Sequence, residues 1–175
     1  MLTLRKNRGF TLIEVLIALA LVAILGTMAV PAFQHWTQNT QIRNAAEGIL
    51  NGMQIARGEA VHSNTPIQII LNSGSGWTIA AVATPTTIIQ QRDAGDGSRV
   101  ASVAVLPAGA DRVTFNGMGW LTTNNNGSNS ITQIDITSSI SSGTEIRPLR
   151  LVINSGGAMK MCDPAVATSD PRACP

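Results

Sequence analysis

The stretch from Phe10 to Phe33 limits this chain more than any other feature: every residue in it is apolar, small or hydroxylated except Glu14. As a helix rising 1.5 Å per residue, it comfortably spans the ~30 Å hydrocarbon core of a bilayer. A carboxylate at mid-bilayer costs on the order of 2.5–3.5 kcal/mol, so Glu14, close to one end of the run, needs a partner or a route to water.

The segment before it, residues 1–9, is short and polar and carries Arg5, Lys6 and Arg8. Basic residues flanking a span stay cytoplasmic, which orients the chain with its N-terminus inside and everything after Phe33 outside. An ordinary secretory signal has a 7–15-residue apolar region followed by a small-residue cleavage site. Here the apolar region is longer and Gly9 precedes it. The formal net charge is +2, with 12 basic and 10 acidic residues. Without the leader's three cations the balance becomes slightly acidic, so composition gives no support to a general polyanion-binding role. Aromatic content of 3% with no tyrosine also argues against a surface built to stack bases.

Lys6-Asn7-Arg8-Gly9 followed by Phe10-Thr11-Leu12-Ile13-Glu14-Val15-Leu16 resembles the class III signal of type IV pilins and type II secretion pseudopilins. The resemblance implies that a prepilin peptidase cuts after Gly9 and that the new N-terminal amine on Phe10 is methylated. It also implies that Glu14 pairs with the Phe10 amine of a neighbouring subunit, setting register in a helical filament. A buried ion pair is better attested as a register device than as a source of net stability.

Gly26 and Pro31 loosen the late part of the run, since proline removes a backbone donor and kinks a continuing helix. From Gln34 the sequence turns polar yet keeps a helical period, with Ile42, Ala45 or Ala46, Ile49, Met53, Ala56 and Ala60 in one stripe. Arg43 and Glu47, four apart, can pair on another face. Gly48 and Gly52 weaken the helix by about 1 kcal/mol each, so it depends on packing. Ser63-Asn64-Thr65-Pro66 reads as the stop. Beyond it, β-branched runs predict strands at 67–71, 77–82, 86–91, 100–106, 113–115, 131–137, 150–153 and 159–161, separated by Gly, Ser and Asn turns including Asn124–Asn129.

The fold expected is α+β: a long membrane-spanning N-terminal helix packed on an antiparallel β head. Its divisions are a leader at 1–9, a transmembrane and polymerisation helix at 10–33, an amphipathic continuation at 34–63 and a head at 64–175. Gln54–Val61, the Phe115-x-x-x-Gly119 turn and Leu151–Gly157 leading to Cys162 resemble the helix end, turn and C-terminal hairpin of FimT/GspH-type minor pilins.

Cys162 and Cys174 are the only cysteines. In an oxidising periplasm they are expected to form a disulfide, and closing so short a loop is worth about 3 kcal/mol. Two cysteines without a nearby histidine fall short of a metal's four ligands. His35 and His62 are too far apart along one helix to share a site, and no nucleophile elbow or phosphate loop occurs. Neither catalysis nor a cofactor is expected.

Some FimT-like pilins bind DNA through a Gly-Arg-x-Arg motif before the C-terminal cysteine. This chain has Gly157-Ala158-Met159-Lys160 there, with one charge missing and a lysine in place of a bidentate arginine. Arg147, Arg150, Lys160 and Arg172 either converge into a double-stranded DNA contact or are solvated surface charges. The family resemblance implies a FimT/FimU-like minor pilin that primes assembly at or near a fibre tip. The alternatives are a DNA receptor for transformation and a GspH-class pseudopilin. Implied partners are other minor and major pilins, the prepilin peptidase and, before assembly, the inner membrane. The topology would be single-pass with a periplasmic head, and the chain would later join the pilus fibre at the cell surface.

Overall fold

The computed structural model describes residues 10–175; the leader, with Arg5, Lys6, Arg8 and Gly9, lies outside the described residues. Helix α1 runs Leu12–Ser63 and continues through Pro31. Nine strands follow: β1 Ile67–Leu71, β2 Trp77–Ala81, β3 Ile88–Arg92, β4 Ala101–Leu106, β5 Arg112–Phe115, β6 Leu121–Thr122, β7 Gln133–Ser138, β8 Leu149–Ile153 and β9 Met159–Cys162. The chain divides into two compact units, Met1–Trp36 and Thr37–Pro175.

The described part of the first unit is the apolar half of α1. Several of its large side chains are open: Leu12, Ile13, Leu16, Leu19, Val22 and Leu25 are all more than half exposed. The helix start is capped locally, with the Glu14 amide donating to Thr11 Oγ1 at 3.3 Å. That is the N-cap geometry in which a threonine oxygen satisfies the N3 amide. Glu14 in the first turn also complements the positive end of the helix dipole.

The second unit folds into two antiparallel sheets and the polar half of α1 around one core. The first sheet has the order β3-β2-β1-β5-β6 and the second β4-β7-β8-β9. The predicted stripe is the buried face of the helix, since Ile42, Ala45, Ala46, Ile49, Met53, Ala56 and Ala60 are fully buried. They join Ile67, Ile69, Trp77, Ile79, Val113 and Phe115 from the first sheet and Ile134, Ile136, Leu151 and Ile153 from the second. On the far side of α1, Arg43 donates to Glu47 at 2.7 Å between two exposed side chains, worth a few tenths of a kcal/mol. Asn64 takes φ 50° just past the helix end, the left-handed cap that stops α1 before Pro66.

The two interior glycines of the helix are contact sites. The Trp77 indole N–H donates to the Gly48 carbonyl at 3.0 Å, and a Cβ on Gly52 would lie 2.6 Å from the Trp77 ring. Arg92 crosses Gly48 and donates to the Asn44 carbonyl at 3.2 Å and to the Asp96 carbonyl. Asn44 donates to the Gly97 carbonyl, so the 93–97 turn is fastened to the helix.

Strand bounds differ from expectation by a residue or two, except that β6 was not expected at all. Its two residues pair Leu121 with Phe115, and the Leu121 amide donates to Ser155 O in the other sheet's hairpin. The stretch Asn124–Asn129, read as a plain turn, folds back over the outer face of the first sheet. There Asn124 is buried, accepts from Thr114 Oγ1 at 2.9 Å and donates to Ser128 O at 3.0 Å.

Candidate assembly segment and head surface

Phe10 and Glu14 lie at the start of α1, both exposed, at the head of a helix whose most apolar window has mean hydropathy 2.5 and no buried share. Exposed apolar surface on this scale demands lipid or other helices, because water-facing apolar patches on monomers seldom exceed a few hundred Å². Glu14 is the lone Asp, Glu, Lys or Arg between Phe10 and Trp36. Its carboxylate is the one formally charged side chain there, whereas the surrounding side chains offer only dispersion and burial.

In the head, three segments that the sequence marked separately meet at one junction. Arg57, near the end of α1, donates through Nε to the Gly119 carbonyl at 3.0 Å. Gly119, at φ 76°, closes the turn after β5, where Asn116 Oδ1 accepts from the Met118 and Trp120 amides. Gly157, also at φ 76°, packs against the Gly119 carbonyl so closely that a Cβ there would overlap the oxygen. A guanidinium and two left-handed glycines thus tie helix, first sheet and second sheet together.

The four cations weighed for DNA contact are distributed unevenly. Arg150 forms a bidentate pair with Asp135 across the β7–β8 register. Burial pushes the Asp135 carboxyl up, but hydrogen bonds from Arg150 and Gln133 outweigh it and hold the group below the ordinary carboxylate value. Arg172 pairs with Asp170 at 2.8 Å inside the disulfide loop, and that hydrogen bond, with a second from the Arg172 amide, lowers Asp170 to about 2. Arg147 and Lys160 are exposed and enter no ion pair among the described residues. The Arg147 amide is pinned to Asn39 Oδ1 at 2.9 Å, at the start of the head's helical segment. Lys160 sits opposite Val152, toward the hairpin that reaches Gly119. The strand direction therefore separates these two unpaired cations.

Cys162 and Cys174 are joined in a disulfide, and the loop between them is closed further by the Asp163 amide donating to Arg172 O at 2.8 Å. Among the described residues no group of three or more His, Cys, Asp or Glu side chains is placed to hold a metal ion. A groove of about 660 Å³ beside β6 is lined by Thr, Ser and Asn with Leu121 and Ile153. None of its lining side chains is an acid or a base.

An exposed apolar N-terminal helix continuing into a helix-backed antiparallel head is the type IV pilin fold. Comparison with solved structures agrees. The type IV minor pilin FimU of Pseudomonas aeruginosa strain PAO1 superposes with TM-score 0.53, covering 77% of this chain and 97% of that one at 21% identity. A second crystal form gives 0.50. Residues 4–30 match the prokaryotic N-terminal methylation motif, and residues 45–157 match the family described as Type II transport protein GspH. The chain belongs to that family, with a FimT/GspH-type head. Among curated proteins it is 38% identical over 88 residues to the type IV major pilin protein PilE1 of Neisseria gonorrhoeae, 48% of this chain and 47% of that protein. It is 37% identical over 46 residues to a fimbrial protein of P. aeruginosa, 26% of this chain and 30% of that one. The chain thus spans less than half the length of these pilins.

Proposed function

We propose that this chain is a minor pilin that is cut after Gly9, methylated on Phe10 and added at or near the tip of a type IV pilus, where it helps to prime polymerisation. The observation that carries the reading is Glu14: a single carboxylate in the first turn of a helix whose N-terminal apolar half is exposed. The Phe10 amine of a neighbour is the cation that the processed family motif would supply. Pairing the two selects one axial register among the many that apolar packing alone permits. The head contributes surface and no turnover, in keeping with a structural family. Mass spectrometry of the membrane-bound chain tests processing: a mature N-terminus at methylated Phe10 is expected, and an intact leader would count against the proposal.

A GspH-class pseudopilin of a type II secretion system is the nearest alternative, favoured by the description of the matched family. Loss of surface pili without loss of secretion in a deletion strain supports the pilus role; the reverse supports secretion. Duplex DNA uptake has weaker support, because two of its four cations are neutralised by aspartates. Scoring the same strain for transformation tests it, as do salt-sensitive DNA mobility shifts that weaken in Lys160→Ala.

A further inference from the structure

Phe33 and Trp36 form a tilted ring pair with centroids 5.8 Å apart, and they remain 65% and 63% exposed. They stand at the end of the apolar half of α1, and Trp36 is the last residue of the first unit. An indole has an apolar body and one N–H, a combination that concentrates at the boundary between lipid chains and headgroups. The axial rise from Glu14 to Trp36 is about 33 Å, against the ~30 Å of a bilayer's hydrocarbon core. The lone carboxylate of the span and its terminal indole are therefore separated by about one hydrocarbon thickness.

We propose that Trp36, backed by Phe33, is the anchor that fixes the depth of the chain in the bilayer before assembly, its partner being the headgroup–acyl boundary of the outer leaflet. This inference rests on the membrane-anchored state assumed in the proposed function. It moves the outer limit of the span from Phe33, where the apolar run stops, to Trp36, with Gln34 and His35 among the headgroups. It also places Glu14 at the inner limit, where a carboxylate reaches water without the mid-bilayer cost.

The test uses the full-length chain in phosphatidylcholine–phosphatidylglycerol vesicles, with lipids brominated either near the headgroup or at the chain ends. Tryptophan emission is the readout; the other two tryptophans, Trp77 and Trp120, belong to the second unit. Headgroup-proximal bromine is expected to quench more than chain-end bromine, and Trp36→Phe is expected to lose most of that quenching. Stronger quenching from chain ends, or undiminished quenching in Trp36→Phe, overturns the anchor. Alkaline carbonate extraction separates the two readings. Release of the wild-type chain removes the membrane-anchored state and the anchor with it, whereas retention with deep or absent Trp36 quenching removes the anchor alone.

Discussion

The Trp77 ring occupies the space that a side chain on Gly52 would need, and its indole N–H is bonded to the Gly48 carbonyl one helical turn away. Gly52→Ala should therefore destabilise the head despite the better helix propensity of alanine. Overpacking costs about 1–3 kcal/mol, against a propensity gain of about 1 kcal/mol. Gly48→Ala meets the movable end of Arg92 instead and should cost less. Urea unfolding of the full chain in detergent, followed by tryptophan emission, measures both; equal midpoints for Gly52→Ala and wild type would refute the contact.

Gly157→Ala should be more damaging than Gly127→Ala, although both glycines have φ above 70°. The left-handed backbone alone costs an alanine about 1–2 kcal/mol. At Gly127 nothing lies near the added methyl, but at Gly157 it overlaps the Gly119 carbonyl oxygen, which is backbone and bonded to Arg57. Thermal midpoints of the two variants give the comparison. Arg57→Ala should loosen the same junction by about 1–3 kcal/mol, because the Gly119 carbonyl loses a charged donor.

Acid should weaken the head. Arg112 hydrogen-bonded to Asp111 lowers that carboxyl; Asp135 is lowered despite burial; and Asp170 is lowered from 3.8 to about 2. Depressed carboxylates contribute stability that is complete above their unfolded value and is lost as pH falls through the folded one. The thermal midpoint should thus be steady near neutrality and fall from about pH 4 toward pH 2. Asp135→Asn should lower the midpoint at neutral pH and show a smaller acid loss. The Asp135–Arg150 pair is about one-third exposed, so its share is under about 1 kcal/mol.

Reduction of Cys162–Cys174, or Cys174→Ser, should lower head stability by about 3 kcal/mol in the chain-entropy picture. The loop from Asp163 to Ala173 should become the first site of proteolysis. Limited digestion with and without reductant, read by mass, checks this.

Much of the fold was readable because its signals are local. The stripe from Ile42 to Ala60 repeats at helical spacing, and those residues are the buried face of α1. Most strands are β-branched runs between turn residues. What was not readable depends on tertiary partners. Gly52 looks like a weak point until Trp77, on another element, is placed over it. β6 is too short to carry a period and exists through Phe115 and Ser155. Asn124 looks like turn filler until Thr114 and Ser128 surround it. Arg150 looks like a free cation until strand register brings Asp135 opposite. The N-terminal motif was the most legible part of the candidate site, because it is read as linear sequence.

The assembly role of Glu14 is tested most directly by the amount of chain in sheared surface filaments from Glu14→Ala cells, normalised to the processed membrane pool. Expected is a pool that still begins at methylated Phe10, with filament-associated chain reduced at least about tenfold, equivalent to about 1.4 kcal/mol of lost assembly energy. A processed Glu14→Ala chain that enters filaments as well as wild type would contradict it.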